Sequence, residues 1–169
     1  MKKFELTSES IVNIFGKKLF RIKALKEFGN VKEGELGGFV EKEENLSHEG
    51  NAWVCGDAKV YGNAWVSGNA EVCGDSKVYG DAKVYGDAEV CGNAWVCWDA
   101  DYATVKGFGT EFRATTFFKC KDRIVRVKCG CFYGDLEEFR VQVKNTRKGK
   151  IAEEYLMIAD LMEKHFKEA

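Results

Sequence analysis

Residues Gly50 to Cys97 read GNAWVC, GDAKVY, GNAWVS, GNAEVC, GDSKVY, GDAKVY, GDAEVC and GNAWVC: eight hexads without one insertion. The rule is Gly, then Asn or Asp, then Ala or Ser, then a variable residue, Val and a second variable residue. A strict period of this kind marks a solenoid and is read before any single strand or helix. Ala-x-Val-x is a short strand whose successive side chains alternate between two faces. The Ala and Val positions point inward and the variable positions point outward. Gly followed by Asn or Asp supplies each corner, because Gly tolerates positive φ and Asn or Asp satisfies backbone groups around a bend.

The pattern resembles the left-handed parallel β-helix of hexapeptide-repeat proteins, in which three hexads make one coil. The eight hexads then give about 2.7 coils, stacked about 4.8 Å apart. Degenerate hexads extend the reading. Glu44 to Glu49 keeps Asn45 and puts Leu46 inward, Lys32 to Gly37 puts Gly34 and Leu36 inward, and Trp98 to Ala103 keeps Asp99 and Ala100. The solenoid is expected over 31–105, near four coils.

The ends of a solenoid need caps. Residues 1–30 read as an N-terminal β-hairpin cap, with Ile11 to Phe15 and Leu19 to Leu25 flanking a turn at Gly16-Lys17-Lys18. Residues 106–169 read as a C-terminal α+β cap. There Thr115 to Cys120 and Ile124 to Lys128 flank a turn at Lys121-Asp122-Arg123, and Asp135 caps a helix from Leu136 to Val143. A last helix, Ile151 to Lys167, carries an apolar face of Ile151, Tyr155, Ile158, Met162 and His165. Gly37-Gly38 and Gly107-Phe108-Gly109 read as turns.

Composition fits this frame. The 169 residues include 18 Gly and no Pro, where average usage predicts about eight Pro. A backbone committed to stacking cannot lose N–H donors. With 26 Lys+Arg against 27 Asp+Glu, the net charge is −1. That argues against binding driven by phosphate charge, so direct nucleic-acid binding is not expected. No apolar run reaches the roughly 18 residues of a membrane span, and no secretory signal is visible. Seven Cys, an odd number, fit a reduced cytoplasmic chain with buried or metal-bound thiols.

Three groups of residues invite a functional reading. The first is Cys120, Cys129 and Cys131, which a hairpin turning at 121–123 is expected to gather as three ligands of a structural zinc. His165 is the favoured fourth ligand, with His48 or a carboxylate as alternatives. The second is Cys55, Cys73 and Cys91, spaced one coil apart and expected to stack on an outer face as an ordinary half-covered row. The third is a set of outward aromatics and lysines suited to a protein partner: Lys59, Tyr61, Lys77, Tyr79 and Trp95 on one face, and Trp65, Lys83 and Tyr85 on the next. The competing reading has the terminal modules, or a second copy, covering these faces. The chain is expected to be a monomer or homodimer.

The hexads show no insertion and no His, whereas hexapeptide-repeat acyltransferases use a catalytic His and a loop thrown out between coils. With two His in all, no nucleophilic triad is assembled, and a non-enzyme is expected. The hexad block, the preceding GELGGFVEKEENLS (34–47) and the KCGCFYGDLEEF (128–139) before the helical tail resemble a group of phage and prophage proteins with NAWVYGDARVYG-type repeats. Some small phage proteins of this kind inhibit host defence, including anti-CRISPR proteins that block the type II effector nuclease. The resemblance implies a cytoplasmic binder that inhibits a host protein by steric occlusion. A self-assembling structural solenoid is the second expectation, and an acyltransferase-like enzyme the third.

Overall fold

A computed structural model describes residues 1–167. Three strands open the chain: β1 (Phe4–Val12), β2 (Lys18–Ala24) and β3 (Leu36–Val40). Each hexad then contributes a two-residue strand. These are β4 (Trp53–Val54), β5 (Lys59–Val60), β6 (Trp65–Val66), β7 (Glu71–Val72), β8 (Lys77–Val78), β9 (Lys83–Val84), β10 (Glu89–Val90) and β11 (Trp95–Val96). Then follow β12 (Tyr102–Val105), β13 (Thr115–Lys119), β14 (Val125–Cys129), β15 (Phe132–Asp135), α1 (Leu136–Thr146) and α2 (Gly149–Phe166).

The hexads wind a β-solenoid of about three turns. Parallel pairing joins each strand to the one three hexads on, as in Trp53↔Glu71, Lys59↔Lys77 and Trp65↔Lys83. Three faces result: β4-β7-β10, β5-β8-β11 and β6-β9. Trp53 N–H donates to the Ala70 carbonyl at 3.0 Å, Cys55 N–H to Val72 at 2.9 Å and Asp57 N–H to Gly74 at 3.1 Å. A Pro at any of these places would break a rung. Inside, every hexad Val and every residue of the Ala column, including Ser76, is buried. The interior is narrow, so small uniform side chains fill it.

Upstream the coil drifts from strict hexads. Phe39 pairs with Lys59 and Leu46 bridges to Val66, so two extra residues enter between Leu46 and Trp53. Leu46 does point inward, in the Val column. The expected hexad at 32–37 does not form: Leu36 is 54% exposed and Gly34 faces solvent. Gly37 and Gly38 are not turns but the middle of β3. A Cβ on Gly38 would lie 2.6 Å from the Ala58 carbonyl, so the strand has no room for a side chain at this position. Downstream, Asp99–Asp101 is a 3-10 turn and Ala100 is exposed, so the coil stops at β11. Tyr102–Val105, expected inside the solenoid, belongs instead to the terminal sheet.

Side chains finish both ends. Lys3 Nζ donates to the Ala52 carbonyl at 2.7 Å, and Asn45 Nδ2 to the Ala64 carbonyl at 2.8 Å. At the far end the Lys83 N–H donates to Asp99 Oδ1 and the Glu89 N–H to Thr116 Oγ1. β1 and β2 pair antiparallel and continue through β3 into the β5-β8-β11 face. β12 to β15 form an antiparallel meander. Its strand β13 has two sides: Phe118 packs on the solenoid core, and Phe117 on the core beneath α1 and α2. Asp135 caps α1 by accepting from Glu138 N–H, and Arg140 ties the helices through Asp160 and Glu163. Among the described residues no helix is long and apolar enough to cross a membrane.

Candidate functional site

The outward positions of the three faces meet different fates. On the β5-β8-β11 face, Tyr61 and Tyr79 stack at 5.3 Å with nearly parallel rings. Leu19 and Phe39 close over them, with Ile11 alongside, and leave Tyr61 only 6% exposed. The N-terminal hairpin therefore takes Tyr61 out of the expected partner surface. Burial pushes its phenol pKa up to about 12. Lys59 and Lys77 are half-buried, and Lys77 Nζ lies 5.0 Å from the Trp95 ring centre. Trp95 is half-buried, with Lys121 of the terminal hairpin on it as well.

On the β4-β7-β10 face, Trp53 is buried edge-on against Phe28. Below it run two columns. One holds Glu71 and Glu89, the other Cys55, Cys73 and Cys91. A groove of about 540 Å³ crosses the carboxylate column between the N-terminal segment at Gly29–Glu35 and the terminal sheet at Arg113 and Gly130. Its floor carries a second ladder, in which Asn51 donates to Asn69, Asn69 to Asp87, and Lys106 pairs with Asp87 at 2.6 Å.

The thiol column stacks as the 18-residue spacing predicts, and all seven cysteines are free. Cys73 lies in the middle of the column, and the Cys55 thiol donates to Glu71 Oε1 at 3.6 Å. Its thiol neighbours lower the Cys73 pKa, and Cys73 with burial raises those of Cys55 and Cys91.

The β6-β9 face stays open. Trp65 is 42% exposed and Tyr85 59%, with Lys83 exposed between them in sequence and paired in register with Trp65. Trp98, the first residue of the expected hexad at 98–103, is 59% exposed one residue before the Asp99 that caps β9. Only the end of the coil could have flagged it, and the sequence pattern runs past that end.

The structure does not assemble the expected zinc knuckle. A turn at 121–123 makes Cys120 N–H the partner of the Ile124 carbonyl, while Cys129 pairs with Thr115 at the other end of the hairpin. Five strand residues separate the two positions, about 16 Å of chain. Cys120 is buried against the solenoid, where it bridges Ala94 and where burial raises its pKa to about 11. Cys129 accepts from Thr115 Oγ1 on the helix side, and Cys131 is exposed. His165 is exposed and lies against the Phe166 ring, because Phe166 rather than His165 completes the buried face of α2. His48, the alternative ligand, is engaged in the first cap. Its Nδ1 accepts from Lys3 N–H and its Nε2 donates to Glu43 at 2.7 Å.

One Cys/Glu/Cys group among the described residues places its ligand atoms within 4.8 Å of one another: Cys55, Glu71 and Cys73. No protein-family model matches the chain, and no curated protein is significantly similar to it.

Proposed function

We propose that this chain is a non-enzymatic binding protein that seats a host protein on its β6-β9 face and inhibits it by occluding a surface that protein needs. The observation that carries the reading is the contrast between faces. Hairpin and terminal sheet cover most aromatics on two faces, while Trp65 and Tyr85 stay exposed on the third, and Trp98 is exposed next to the Asp99 that caps β9. Exposed Trp and Tyr are residue types that dominate interface energies. The capped solenoid ends favour this reading over end-to-end self-assembly, because Lys3, Asn45, Asp99 and Thr116 occupy the rungs that a second copy would need.

The resemblance to phage proteins supplies the first target to test, a type II CRISPR effector nuclease in the cytoplasm of a bacterial host. On the same reading the coil is left-handed, as its hexads imply. The test is titration calorimetry with the purified nuclease, together with a cleavage assay. Binding and inhibition are expected, with the double variant Trp65→Ala/Tyr85→Ala at least tenfold weaker in both. Unchanged binding by that variant would overturn the role of the face, and absence of binding would overturn the target.

A further inference from the structure

We infer that Cys55, Cys73 and Glu71 form a site for one thiophilic divalent cation, of which zinc is the physiological candidate. Two sulfurs and a carboxylate suit zinc, which takes Cys, His and carboxylate ligands in a tetrahedron. The Cα positions are set by the parallel rungs of β4 and β7, with Val54 and Val72 buried between the columns. The three ligand atoms lie within 4.8 Å of one another, and Cys55 Sγ already contacts Glu71 Oε1 at 3.6 Å. A tetrahedral zinc with arms of about 2.3 Å spans two sulfurs about 3.8 Å apart. A small rotation of side chains that can move on an outer face closes that difference.

A disulfide fits this pair less well. Rungs in register keep Cβ atoms at about the inter-strand spacing of 4.7–4.9 Å, beyond the roughly 3.5–4.5 Å that a disulfide prefers. Glu71 is free to serve as the third ligand. Its neighbour Glu89 has Lys128 at 3.7 Å, but among the described residues Glu71 has no ion-pair partner, and the Cys55 thiol is its one side-chain hydrogen-bond partner. No salt bridge competes for the Glu71 carboxylate, which lies beside the two thiols. Three protein ligands leave a fourth position for water.

The fold allows a clean test. Ser67 stands at the hexad position that Cys55 and Cys73 occupy, so Cys→Ser is a replacement this solenoid already uses. Reduced, metal-stripped full-length chain is dialysed against zinc, desalted and assayed for metal. Cobalt(II) is then added in a parallel sample to read the thiolate-to-cobalt charge-transfer band. The expected result is one zinc per chain and a charge-transfer band. Cys55→Ser and Cys73→Ser should each lose both, and Glu71→Gln, on an exposed side chain, should bind at least tenfold more weakly. Cys129→Ser and Cys131→Ser should bind like the parent. A parent chain that retains no zinc overturns the site, and so does zinc retained equally by Cys73→Ser and Glu71→Gln.

Discussion

The ammonium of Lys3 donates to the carbonyl of Ala52 at 2.7 Å, in the place where a preceding coil would have put a backbone N–H. The side chain is completely buried and also lies over the Phe28 ring. One charged group thus does the work of a missing strand at the solenoid's first edge.

Burial, reinforced by Lys26, lowers the Lys3 pKa from 10.5 to about 8. The folded chain releases this proton before the unfolded chain does. Between pH 8 and pH 10.5 the unfolded state therefore binds more protons, and stability rises with pH. Denaturant unfolding of the parent and of Lys3→Met across that range should show the parent gaining a few kcal/mol relative to the variant. Parallel curves for the two proteins would remove Lys3 from this role.

Gly74 and Gly86 both turn corners with φ near +68°. A Cβ on Gly74 would lie 2.8 Å from the Gly92 carbonyl on the next coil, whereas one on Gly86 meets nothing within 4 Å. Gly86→Ala should carry only the left-handed backbone penalty, about 1–2 kcal/mol. Gly74→Ala adds the overlap, about 1–3 kcal/mol more. Equal midpoints in urea would mean that the coils can separate locally without loss.

Asn45 is buried, and its amide nitrogen donates to the Ala64 and Gly62 carbonyls while its oxygen accepts from Lys42 N–H. Asn45→Ala should destabilise the chain by about 2–4 kcal/mol, because these groups lose their partners without gaining water. Asn45→Asp keeps the acceptor but turns the donor into an anion facing carbonyls. It should be at least as damaging at neutral pH, and thermal unfolding of both variants checks the order.

The hexad block was legible because each of its decisions is local: Gly at a corner, Ala and Val inside, six residues to the next corner. The edges were not. Leu36 fits the hexad frame by spacing, but β3 already belongs to the cap sheet there, and only three-dimensional pairing reveals it. The zinc expectation failed on a register detail, since a three-residue turn pairs Cys120 with Ile124 and not with Cys129. His165 and Phe166 both fit a helical period after Met162, and the larger apolar ring took the buried place. The cysteine column at one-coil spacing was readable as a stack, but its link to Glu71 depends on side-chain reach between adjacent rungs. Likewise the hexad frame points Tyr61 outward, and nothing in the sequence says that the hairpin covers it.

The open β6-β9 face is tested most directly by site-specific photo-crosslinking in host cells. A photoreactive side chain is placed at Tyr85 on that face or at Trp98 beside the cap of β9, and at Glu27 in the N-terminal segment as a reference. The predicted result is one discrete adduct with a host protein from positions 85 and 98 and none from position 27. Adducts from position 27 alone, or none from any position in cells where the chain is active, would contradict binding through this face.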